Sequence, residues 1–160
     1  MKITIAKDIG RRLKSFCKSK GSYLILDGSK AKGGTWTEGG CLILAKALYE
    51  TLINCGVDAK IKIVTGNGQP QHALVGVRLD DQTEVFLDAD GLSTAHQLLD
   101  RWMKDEVVAH PIRIRWVPYY PDVMPQPGIE QYRLLKVMSN RVVKMPFVKD
   151  FEYAAPLEVV

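Results

Sequence analysis

Thiol chemistry needs a cysteine that ionises, a base held beside it and a group that orients the base. This sequence offers Cys41, His72 and an aspartate at position 88 or 90. Cys41 follows two glycines in TEGGCLILAKALYETL (residues 37–52) and stands where an apolar, alanine-containing stretch begins to read as a helix. At a helix start the unpaired N–H groups and the positive end of the dipole favour a thiolate over the free thiol of pKa about 8.5. The same N–H groups can meet an oxyanion that develops beside the sulfur. Gly39 and Gly40 leave room for a substrate backbone to approach.

His72 opens a β-prone run directly after the glycine- and proline-containing GNGQPQ. Ala73, Val75, Val77 and Leu79 alternate along that run and form its inward face, so His72 shares the other face with Leu74, Gly76 and Arg78. The next run, EVFLDADG (residues 84–91), returns after the turn DDQT. In a hairpin turning near Asp81 and Gln82 the start of one strand lies beside the end of the other, which brings Asp88 or Asp90 to His72. His96, within a helical stretch, and His110, before a proline, lack a carboxylate at useful spacing. Cys17 and Cys55 read as small structural residues.

The elements that must position these groups follow from periodicity. Leu44, Leu48 and Leu52 recur at the i, i+4 spacing of a buried helical face, and Cys55-Gly56 ends that helix. Residues 59–65, 72–79, 84–88 and 112–117 predict strands, and GNGQPQ predicts a loop. Ile3 and Ile5 suggest a short strand before a basic helix over residues 8–18, with an extended YLIL after it. Ser93 or Thr94 caps a helix through STAHQLLDRWMK that places Leu98, Leu99, Trp102 and Met103 on one side. A further helix is expected over residues 129–137. The four prolines of PYYPDVMPQPG predict an irregular loop before it.

A chain of 160 residues, 46% hydrophobic and 25% charged, suits one α+β domain spanning residues 1–160. Its 22 basic residues against 18 acidic ones are scattered, so nucleic acid is not an expected partner. Arg113 and Arg115 alternate with apolar neighbours as a solvated strand face does. Three unclustered cysteines fit neither a disulfide framework nor a metal knuckle, and no stretch approaches a membrane span. The expectation is a soluble, cytoplasmic protein with no membrane partner. With no phosphate loop and no dinucleotide fingerprint, no cofactor or metal is expected.

The stretch of residues 39–90 resembles the core of the transglutaminase-like branch of the papain-like cysteine enzymes. The resemblance rests on Gly39 and Cys41 opening a helix, on GVDA at residues 56–59 leading into a strand, on His72 opening the next strand, and on Asp88. It implies a papain-like core over about residues 34–118, with the catalytic helix packed on an antiparallel sheet and residues 119–160 as an accessory loop, helix and tail. It further implies Cys41 as nucleophile, His72 as base and then acid, Asp88 rather than Asp90 as the orienting residue, and Trp36 near the oxyanion with Gly39 and Gly40. Gln69 and Gln71 are weaker candidates for the oxyanion. Ala73 and Leu74 stand where family members commonly carry an aromatic residue after the histidine, which leaves the acyl acceptor open. The activity so implied is cysteine-dependent hydrolysis of an amide bond in a protein or peptide, as a peptidase or deamidase, with acyl transfer to an amine as its neighbour. A non-catalytic inhibitor or effector on the same scaffold is the competing class, motivated by the VPYYPDVMPQP loop as a gripping surface.

Overall fold

The computed structural model of the chain describes residues 1–20, 22, 35–37, 40–116, 136 and 140–143. Among the elements the described residues define, α1 (Ile3–Cys17) and α2 (Cys41–Asn54) come first. Strands β1 (Ala59–Gly66), β2 (Gln69–Arg78), β3 (Glu84–Asp88) and β4 (Gly91–Thr94) follow, then helix α3 (Ala95–Met103) and strand β5 (Ile112–Trp116). The strands form one antiparallel sheet in the order β4-β3-β2-β1-β5. This is an α+β fold with helices on both sheet faces. Among the described residues, no helix is long and apolar enough to cross a membrane.

The alternation along β2 divides the core in two. Ala73, Val75 and Val77 join Val85 and Leu87 of β3 beneath Ile9 and Leu13 of α1 and Leu44, Leu48 and Leu52 of α2. On the opposite face Val64, Leu74 and Phe86 pack against Leu98 of α3, with Trp102, Ile112 and Ile114 around them. The first cluster also takes in Val142 and Val143, so the core draws on residues outside 34–118 at both ends.

Several local expectations are corrected. Ile3 and Ile5 belong to α1, because Ala6, Ile9, Leu13 and Phe16 continue a helical stripe that a strand at residues 3–5 would interrupt. GNGQPQ is a tight hairpin: Gly66 pairs with Gln69 across Asn67 and Gly68, whose φ values of 48° and 77° suit the Asn-Gly pair. The second tight turn, Ala89–Asp90, joins Asp88 to Gly91 and starts β4, a strand too short for alternation to announce. Thr94 is the cap of α3, and its Oγ1 accepts from Gln97 N–H while Gln97 Oε1 accepts from Thr94 N–H. Met103 stands 49% exposed, so the buried side of α3 is Leu98 flanked by Trp102. The YLIL segment, the proline-rich loop and nearly all of the 129–137 helix lie outside the described residues.

Gly10 is where α1 meets β4. A Cβ there would come within 2.7 Å of Leu92 N and 2.8 Å of its Cβ. Gly10→Ala is therefore expected to destabilise the fold by about 1–3 kcal/mol in urea unfolding, against the gain of up to about 1 kcal/mol that helix propensity alone predicts. An unchanged or raised midpoint would show that α1 does not lie this close to β4.

Candidate active site

Cys41 is the first residue of α2, and Gly40 precedes it in the cap position. Gly40 N–H donates to Thr35 O at 3.0 Å, tying the helix start to the turn that carries Trp36. Gly39 lies outside the described residues. Leu44 N–H donates to Gly40 O at 3.1 Å, and among the described residues it is the first amide of α2 bonded to a carbonyl in helical register. The Leu42 amide of the first turn faces the thiol.

His72 is placed by an irregularity in β2. Val64 pairs with His72 but Thr65 pairs with Pro70, so Gln71 is an extra residue and the strand is bulged immediately before the histidine. The side chain is 1% exposed and lies against Trp102 of α3, with ring centroids 5.3 Å apart. β3 pairs with β2 only as far as Val75, beyond which the backbone of Ala73 is turned to Cys41.

Asp88 ends β3 with its side chain 4% exposed, and its Oδ2 lies 3.0 Å from His72 Nε2. A carboxylate can only accept here, so Nε2 carries the proton and Nδ1 is the nitrogen left over. Nδ1 is buried and has no aligned hydrogen-bond partner among the described residues. Asp88 Oδ1 accepts from Asp90 N–H at 2.9 Å across the tight turn. The Asp90 carboxylate points elsewhere, 2.6 Å from Arg101 Nη1.

The electrostatics follow from these contacts. Burial pushes the Cys41 thiol up, but the His72 imidazole and the amides of Ala73 and Leu42 outweigh it and leave the thiol below its ordinary value of 9.0. For His72, burial works against the charged ring, while Asp88 and then Cys41 favour it, and the imidazole is pushed up to about 9. The two directions agree: each group is biased toward its charged form by the other.

No known protein family, curated protein or solved structure matches this chain. What the residues can do is read from their own geometry.

The structure brings Cys41, His72 and Asp88 to one end of the sheet. Trp36 is there too, buried at 3% exposure, but its Nε1–H donates to Ser22 Oγ at 3.1 Å. The indole therefore walls the thiol's surroundings without offering its N–H to a reacting oxygen. Gln71 is exposed at the rim of a cleft of about 350 Å³ that His72, Asp88, Asp90, Arg101 and Trp102 also line. Gln69 is exposed at the hairpin tip.

Two residues in this arrangement escaped the sequence reading. Trp102 packs its ring against the imidazole, tilted 33° to it, beside the His72–Asp88 bond. Its i, i+4 relation to Leu98, set beside the expectation that His72 shares a face with Leu74, was the available signal. Arg101 reaches Asp88 as well as Asp90, and nothing in its neighbourhood in the sequence marks it.

The shifts fix a pH window. The thiolate is favoured above the lowered Cys41 value, and its contribution to stability is lost as pH falls through that value. The imidazolium's contribution is complete below the ordinary histidine value of 6.5 and is lost as pH rises through about 9. Cys41 is therefore expected to react with iodoacetamide at pH 6 about tenfold or more faster than Cys55, whose thiol burial pushes up. Cys17, raised to about 12, should stay inert in the folded protein. Peptide mapping of the alkylated chain checks the order, and equal rates at Cys41 and Cys55 would remove the ion pair.

Proposed function

We propose that this chain is a cysteine-dependent amide-bond hydrolase, a peptidase or deamidase acting on a protein or peptide through Cys41, His72 and Asp88. The observation that carries the reading is the buried pair at 3.0 Å between His72 Nε2 and Asp88 Oδ2, which leaves Nδ1 as the spare nitrogen of an imidazole that interacts with a thiol held below its ordinary pKa. Support also comes from the order of parts. A helix that starts at the cysteine packs on an antiparallel sheet whose successive strands carry the histidine and the aspartate, as the resemblance to the transglutaminase-like branch of the papain-like enzymes implies.

In this reading the Cys41 thiolate attacks the amide carbonyl carbon, and the carbonyl π electrons move onto oxygen. The first-turn amides of α2 meet that oxyanion. Collapse of the tetrahedral intermediate breaks the C–N bond, and the proton on His72 Nδ1 passes to the departing amine. This leaves a Cys41 thioester and a neutral imidazole. A water then gives its proton to Nδ1 as its oxygen adds to the thioester carbon, and expulsion of the thiolate releases the acid and restores the ion pair. Asp88 holds the ring in the tautomer that this sequence requires. The three free cysteines support a reducing, cytoplasmic setting for this chemistry.

Wild type and Cys41→Ala, incubated with a proteome-derived peptide library, should differ by peptides that are cleaved or deamidated only when the thiol is present. Mass spectrometry with H₂¹⁸O should find one heavy oxygen in each newly formed acid. Asp88→Asn should lower the rate on the order of 10²-fold or more, and Asp90→Asn far less. Equal losses at the two positions would overturn the assignment of the acid. Added amine entering the products in place of water would make the enzyme an acyltransferase working through the same thioester.

A further inference from the structure

Asp88 and Asp90 are two carboxylates at one tight turn, yet only one reaches His72. The group that separates them is Arg101. Its Nη1 lies 2.6 Å from Asp90 Oδ2, its Nη2 donates to Ser93 Oγ at 3.1 Å, and the same Nη2 stands 3.6 Å from Asp88 Oδ2. The oxygen it faces on Asp88 is the one that accepts from His72 Nε2. The guanidinium and the imidazole thus share a single carboxylate oxygen, and three anchors on β3, β4 and the turn between them fix the guanidinium.

We propose that Arg101 is a positioning residue of the candidate active site: it draws Asp90 away from the imidazole, holds Asp88 against it, and sets how much negative field His72 feels. This rests on the reading of Cys41, His72 and Asp88 as the working groups. It assigns to Arg101 a role distinct from theirs, since it acts through Asp88.

The charged and titratable groups around His72 make the direction of the effect definite. Asp88 and Asp90 lie at the β3–β4 turn, Arg101 on α3, Asp105 in the cleft beyond it, Cys41 on α2, and Cys17 at the end of α1, where it feels both Asp88 and Asp90. Besides the imidazole itself, Arg101 is the cation that faces Asp88 among the described residues. Removing it leaves two carboxylates uncompensated beside the imidazole and must raise the proton affinity of His72. Removing the Asp90 charge must lower it, both by deleting an anion and by releasing Arg101 to Asp88 alone. A purely structural role would disturb both variants in the same direction.

The test is the ¹H–¹⁵N titration of the His72 ring in the full chain, with Cys41 alkylation followed in parallel. Arg101→Gln should shift the His72 midpoint up by about half a pH unit, a threefold rise in proton affinity, and Asp90→Asn should shift it down by a similar amount. Arg101→Lys, which restores the charge without the fork, should return the midpoint to within about 0.2 unit of wild type while broadening the Nε2–H resonance. Shifts of the same sign in the Gln and Asn variants, or none, would overturn the role of Arg101, and the Asn and Lys variants decide the matter if the Gln variant does not fold. Alkylation reports separately on the nucleophile. If wild-type Cys41 is no more reactive than Cys55 while the opposite shifts are seen, the catalytic reading fails and the control of His72 by Arg101 stands.

Discussion

Burying an imidazole and a carboxylate together strips both of water, and such a pair persists only where geometry and neighbouring donors replace what hydration supplied. At the end of this sheet Asp88 has that replacement on both oxygens: the imidazole and Arg101 on one, the Asp90 amide on the other. Much of the local architecture exists to make this possible. The bulge at Gln71 sets where His72 leaves β2, the two-residue turn after Asp88 supplies the amide, and the capped start of α3 directs Arg101 and Trp102 back over the pair.

The two faces of the sheet contribute unequally. α2 lies on the larger core and delivers Cys41 at its first residue, while α3 lies on the smaller core and delivers the cover for the imidazole. His72 stands at the border, where β3 stops pairing with β2 and a side chain on one face can meet a helix end from the other. Gly66 serves the same end of the molecule. A Cβ there would lie 2.6 Å from Ala109 O, so its absence lets the segment after α3 close down on the β1–β2 hairpin beside the cleft.

Much of this was legible in residue order. The alternation of Ala73, Val75 and Val77 assigned the faces of β2, and the leucine spacing from Leu44 to Leu52 marked the buried face of α2, because strict periodicity follows from burial on one side. The glycines before Cys41, which a regular helix would not accommodate, put its start near Gly40 or Cys41. What escaped notice was set by turns and by contacts between distant elements. Asn67-Gly68 is a hairpin signal that the neighbouring glycine and proline disguised as a loop, and β4 is four residues long, below the length at which alternation carries information. Ile3 and Ile5 misled because two apolar residues two apart fit a strand, whereas the helical stripe shows only when Ala6, Ile9 and Leu13 are read with them. Trp36 faces the thiol's surroundings, but its donor was claimed by Ser22, a partner 14 positions away.

Cys17 and Cys41 show which of these features makes a nucleophile. Both thiols are largely withdrawn from water, and in both the largest influence is burial, which opposes the thiolate. They end on opposite sides of the ordinary value. Cys17 sits at the last turn of α1, where the charges it feels are the carboxylates of Asp88 and Asp90, and its thiol rises to about 12. Cys41 sits at the first turn of α2, where it feels an imidazole and two backbone amides, and its thiol falls. The same aspartate is at work in both cases. Its field reaches Cys17 directly and suppresses the anion; it reaches Cys41 through His72, which Asp88 keeps protonated, and there it favours the anion. Burial at this end of the sheet therefore selects no chemistry by itself, and the sign of the outcome is decided by which group stands between the sulfur and Asp88.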